Sequence, residues 1–274
     1  MSDILGLEQA FYTGDYAAVA DLDPHGFGGD QERARMLMGR AKIALGQAHK
    51  VIETTDKTPA NKPLLDYAKF ASGDTSVADS LESTDTLSSE GKHLVALVFA
   101  KADRVSEALE LLKSTNRNLD CCMLQCYLYL TLGDVSGAEA VVNSMREWAN
   151  DHIVFNLCEA WVALRQNGSE AQKAFYIFEE TSSFNPSSRS LTGEAIAQLE
   201  LLRIPEAAES IRRALELPHA EDTLATAVAI SSIQGQAPDQ LTALQQVRNS
   251  RIVTDLKEKE DLFDKIALKY ATSA

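Results

Sequence analysis

Apolar side chains recur along this chain at intervals of three and four residues, in short runs broken by a glycine or a small polar residue. The clearest example spans residues 152–186. Phe155, Cys158, Trp161 and Val162 fall on one stripe of an α-helix, and Ala171, Ala174, Phe175 and Phe178 fall on another. Gly168 separates the two helices. Asn185-Pro186 ends the second, because proline has no amide hydrogen and disfavours the helical conformation in the residue before it. One such hairpin cannot bury both stripes, so the pattern predicts stacked neighbours.

The chain repeats the unit. Candidate bends stand at Gly14, Gly46, Gly73, Asp103, Gly133, Gly168, Arg203 and Gly235, roughly 27 to 35 residues apart, close to the roughly 34-residue period of the tetratricopeptide repeat. A few positions after several bends comes a small residue, at Ala108, Ala138, Ala174 and Ala207, where a missing bulky side chain lets the second helix approach the first. Sustained alternation of apolar and polar residues is absent, so no strand is expected. The expected fold is all-α: a right-handed α-solenoid of tetratricopeptide-like helix-turn-helix repeats with a C-terminal capping helix. It is read as one array over 1–274, with repeats near 1–22, 31–56, 64–84, 90–116, 119–149, 152–186, 189–218 and 221–250. The cap is expected at 255–274, where Leu262, Phe263, Ile266, Ala267 and Tyr270 oppose a charged face; a partner-binding helix is the alternative.

Two stretches interrupt the array. The glycine-rich run from Asp23 to Asp30 lacks the lysine-hydroxyl ending and preceding strand of a phosphate loop, so it reads as a linker between repeats. The polar run from Thr54 to Pro63 reads as a loop.

Composition narrows the function. Of 274 residues, 45% are hydrophobic and 24% charged, enough apolar material for a core. The formal net charge of −14 disfavours nucleic acid or an anionic membrane surface as the main partner and suits a basic protein surface. No long apolar run suggests a membrane span, and the opening residues have no basic-then-apolar leader pattern, so a cytosolic location is expected. Cys121, Cys122, Cys126 and Cys158 lie in helical patterns among apolar neighbours and read as buried thiols; Cys122 and Cys126 lack two further ligands for zinc. His25, His49, His93, His152 and His219 are scattered, and no nucleophile, phosphate-loop or dinucleotide motif occurs. No enzyme and no cofactor is expected. Function then falls to the surface that a stack of first helices would offer. By register with the bends its candidates are Met36, Arg40, His93, Leu97, Met123, Tyr127, Asn156, Glu159 and Ile196. For Leu97, Met123 and Ile196, packing between repeats is an equal reading.

The strings AFYTGDY at 10–16, AWVALRQNGSEAQKAFYIFEE at 160–180 and KEDLFDKIALKYATSA at 259–274 closely resemble the coatomer epsilon subunit family, in order and at both ends. Residues 22–90 match least well. The resemblance implies a structural subunit of the COPI vesicle coat whose repeats hold the C-terminal domain of the coatomer alpha subunit. It also implies membrane contact only through the rest of the coat, on Golgi membranes, without catalytic residue or cofactor. A generic helical-repeat scaffold or a chaperone-tail adaptor is the alternative; the latter needs a clamp of Lys and Asn that the inner positions do not supply.

Overall fold

The computed structural model describes residues 3–81, 87–115, 117–166, 168–237, 239–247 and 250–270. Among them every regular element is helical. Helices follow in pairs: α1 (Ile4–Thr13) with α2 (Tyr16–Ala20), α3 (Gln31–Ala44) with α4 (Ala48–Thr54), and α5 (Lys62–Ala71) with α6 (Val77–Ser80). Next come α7 (Ser89–Lys101) with α8 (Val105–Lys113), α9 (Leu119–Thr131) with α10 (Val135–Arg146), and α11 (Ile153–Gln166) with α12 (Glu170–Phe184). The last are α13 (Ser188–Glu200) with α14 (Ile204–Leu215), α15 (Glu221–Ile233) with α16 (Leu241–Gln245), and α17 (Arg251–Tyr270). This is the α-solenoid architecture of tetratricopeptide type.

The bends explain the pairing. Gly14, Gly46, Gly73, Gly133, Gly168 and Gly235 have φ of +90, +74, +106, +77, +59 and +70°, and Asp103 has +64°. That left-handed conformation turns the chain out of a helix, and glycine enters it without a Cβ penalty. At Gly14 the amide returns to the carbonyls of Ala10 and Phe11, closing α1. The seventh bend differs from expectation by one residue: Leu202, φ +59°, makes the turn, and Arg203 is the cap that opens α14. Short acceptors start many helices. Asp3, Asp15, Ser88, Asn118 and Asp134 each accept an amide hydrogen of the first turn. The glycine-rich run is a 3₁₀ turn, Pro24–Asp30, pinned by buried Phe27 and leading directly into α3.

Ala108, Ala138, Ala174 and Ala207 are all fully buried, and Ala108 and Ala207 pack in clusters with residues of the helix each is paired with. The chain forms two compact units, 1–185 and 186–274. In the first, the opening helices of successive pairs also touch: α3 with α5, α5 with α7, α7 with α9, α9 with α11. They make one layer, and each second helix packs against its own partner in that layer. Its core runs through Ile43, Val51, Leu64 and Leu94 into Phe99, Leu112, Leu124 and Leu128. In the second unit Leu191, Ala195, Ala207, Ile211, Ala227 and Ile230 form a separate cluster.

The expected terminal helix is present as α17, but its apolar face is not covered. Leu256, Leu262, Phe263, Ile266 and Tyr270 are all exposed, Phe263 by 71%. Among the described residues these side chains stand open to solvent. Residues 271–274 of the anticipated cap lie outside the described residues.

Candidate partner-binding surface

The nine residues singled out from the sequence separate into an interior group and a surface group. Met36 sits in the core with Ile43, Val51, Leu64 and Leu94. Leu97 is half-buried between that cluster and the next one along. Arg40 and His93 come together, but inside the first unit rather than on its face.

They belong to a buried ionic cluster that joins four helices. Asp120, in the first turn of α9, is 1% exposed and accepts from Arg40 at 2.8 Å, from the Tyr12 hydroxyl at 2.9 Å and from Arg33. Arg33 also donates to Glu8 at 2.9 Å and to the Tyr12 oxygen at 2.7 Å, and Glu8 meets His152 at 3.3 Å. The Arg40 guanidinium lies 4.6 Å from the centre of the Phe11 ring. Beyond the cluster, Asn185 donates to the Thr13 hydroxyl at 2.6 Å. Helix α1 is thus tied to the start of α9, to the residue before α11 and to the end of α12, so the first unit curves back on its own N-terminal helix.

Electrostatics follow from that geometry. Burial alone would raise the Asp120 carboxyl, but Arg40 and Arg33 outweigh it and hold it well below the usual carboxylate range. Burial likewise opposes ionisation of Glu8, and hydrogen bonds from His152 and the charge of Arg33 overcome it. Burial, reinforced by Arg40, pushes His93 down to about 3, so its ring stays neutral; neither ring nitrogen has a hydrogen-bond partner among the described residues. Sequence reasoning missed Glu8, Tyr12, Arg33 and Asp120. The only signal was an aspartate beside Cys121 at the start of an apolar helix.

In the first unit the surface group lies farther along the first-helix layer. Tyr127 on α9 is 53% exposed and Met123, one turn back, is half-buried. On neighbouring α11, Asn156 is half-buried, and Glu159 pairs with Arg146 at 2.7 Å and Lys173 at 2.9 Å. In the second unit Ile196, on α13, is half-buried. The cysteines are free thiols. Cys121, Cys126 and Cys158 are buried, burial raises Cys121 to about 12, and the Cys126 thiol points at the Cys158 carbonyl at 3.9 Å. No three of the described His, Cys, Asp and Glu residues are arranged to hold a metal, and no described helix is long and apolar enough to cross a membrane.

What this arrangement supplies is shape and contact surface on stacked helix pairs, which defines a helical-repeat scaffold protein. A profile of the coatomer epsilon subunit matches residues 1–271. The chain belongs to the coatomer epsilon subunit family, the structural COPI coat subunits of vesicle transport, rather than to an enzyme family. It is 28% identical to a probable coatomer subunit epsilon of Schizosaccharomyces pombe, over 100% of this chain and 97% of that protein. It is 25% identical to coatomer subunit epsilon-2 of Arabidopsis thaliana, over 96% and 94%, and 26% identical to epsilon-1 of Oryza sativa subsp. japonica, over 77% of each.

Proposed function

We propose that this coat subunit binds and stabilises the C-terminal domain of the coatomer alpha subunit, serving Golgi-to-endoplasmic-reticulum and intra-Golgi transport. It works from the cytoplasmic side, peripheral on Golgi membranes and coated vesicles, and reaches the remaining coat subunits and the membrane through its partner. The observation that carries the reading is the family match along the whole length, joined to an exposed aromatic, Tyr127, on the first-helix layer. Exposed aromatics beside half-buried apolar side chains are the usual anchors of a protein interface. In this reading Met123, Tyr127, Asn156 and Glu159 form the contact side of the first unit, and Ile196 is a contact residue of the second. Met36, Arg40, His93 and Leu97 act from inside, by fixing the helices that carry it.

The test is the double substitution Met123→Asp with Tyr127→Asp, assayed by co-purification with the alpha C-terminal domain. Binding should be lost while helix content is unchanged. Full binding by the double variant would contradict this placement of the contact.

A further inference from the structure

Helix α17 carries an apolar seam that neither the core of its unit nor the alpha-subunit reading uses. Ile252, Leu256, Lys259, Phe263, Ile266 and Tyr270 succeed one another at spacings of four, three, four, three and four residues. That alternation keeps a stripe on one face of a helix through several turns and is the seam of a coiled coil. All of these positions are exposed, and Leu256, Lys259, Glu260 and Phe263, with Asp264, line a hollow on the helix surface. The first four stand at i, i+3, i+4 and i+7, the arrangement that receives a side chain from a facing helix in knobs-into-holes packing.

Charge says which helix fits. The chain carries −14 overall, but α17 has five basic and five acidic residues, so its seam is where two copies can approach without net repulsion. Lys259, alone among the seam residues, is charged, and it sets the orientation. With two copies parallel, Lys259 would face Lys259 in the seam and Phe263 would face Phe263. With two copies antiparallel, a two-fold axis at the level of Asp261 sets Ile252 against Tyr270, Leu256 against Ile266 and Lys259 against Phe263. Each ammonium then lies over the other copy's aromatic ring, within reach of the other copy's Glu260, and Leu262 meets its own copy beside the axis. The seam is self-complementary in one direction only. We propose that α17 is a self-association helix, pairing antiparallel with α17 of a second copy of this chain in an isologous contact.

Sedimentation of the full chain from about 1 to 100 µM, the range in which an interface of one short helix pair titrates, tests it. The expected result is a monomer–dimer equilibrium that Phe263→Asp with Ile266→Asp abolishes at every concentration without loss of helical circular dichroism outside the terminal helix. Orientation is read by oxidative cross-linking: Leu256→Cys and Ile266→Cys chains should give no new disulfide dimer separately and should give one when mixed. A strictly monomeric wild-type chain, or a dimer that survives the double substitution, overturns the proposal. So does a disulfide dimer of Leu256→Cys with itself, which requires a parallel pair. A monomeric chain whose double variant loses only the alpha domain also overturns it, because the seam then belongs to that partner. Loss of alpha binding on Met123→Asp with Tyr127→Asp is a separate result and leaves the dimer untouched.

Discussion

At the scale of single residues, the first unit depends on Asp120. Its carboxylate is the shared partner of two guanidinium groups and a phenol, and removing one member of a buried ionic set leaves uncompensated charge in a low-dielectric interior. Asp120→Asn should therefore cost about 3–5 kcal/mol in chemical denaturation. The neighbouring His93 makes stability fall in mild acid. Its folded pKa is pushed down to about 3 from 6.5, so on acidification the unfolded chain takes up this proton first. Stability contributed by the neutral ring is complete above about 6.5 and falls as pH drops towards the folded value. Asp120 and Glu8, also depressed, add to the loss at lower pH, beneath the ordinary carboxylate range near about 4. Between pH 7 and pH 5, urea titrations should show wild type losing about 2 kcal/mol more than His93→Leu, which has no proton to gain. Equal losses would mean that the ring is solvated. Of this cluster the sequence marked only Arg40 and His93, and those as surface positions. Tyr12 and Asp120 are 108 positions apart, and a charged residue at the start of a helix is ordinarily a solvated cap.

At the scale of elements, the bends were legible because backbone geometry demands a residue type. Six of the eight are glycines with positive φ, and the four alanine slots are closed contacts for the corresponding steric reason. Where the residue type carries no such demand, the reading drifts: Leu202 takes the left-handed turn although nothing in a leucine marks it. Leu202 is also 83% exposed, so its side chain contributes little packing to offset that conformation. Leu202→Gly should stabilise the chain by about 1 kcal/mol, seen as a rise of about 2–4 °C in Tm. A fall would show that the leucine makes a contact worth more than the backbone strain. The opposite change at a buried position should hurt: Ala174→Leu, at a fully buried position of α12, should cost about 1–3 kcal/mol by overpacking. The cysteines behave as elements of the core. Under native conditions, thiol reagents should label Cys121, Cys126 and Cys158 only at the rate of unfolding, since burial and raised pKa values withhold the thiolate from Cys121 and Cys158.

At the scale of the whole molecule, sequence periodicity identified the helical-repeat class, and residue strings at both ends identified the family. What the sequence left open is how that class is put to use. Half-buried and exposed positions on an inner helix share the same periodicity, so Met36 and His93 could not be told from Met123 and Tyr127 until the first unit was seen to curve onto its own N-terminal helix. The same holds for α17, whose apolar stripe is compatible with covering a unit or with meeting another chain. Holding the alpha C-terminal domain is the role proposed for this coat subunit. Size-exclusion chromatography with light scattering of the full chain mixed with the coatomer alpha C-terminal domain, at raised salt, tests it most directly. The expected result is a stable complex with one alpha domain per chain; two folded proteins eluting separately would refute the proposed role.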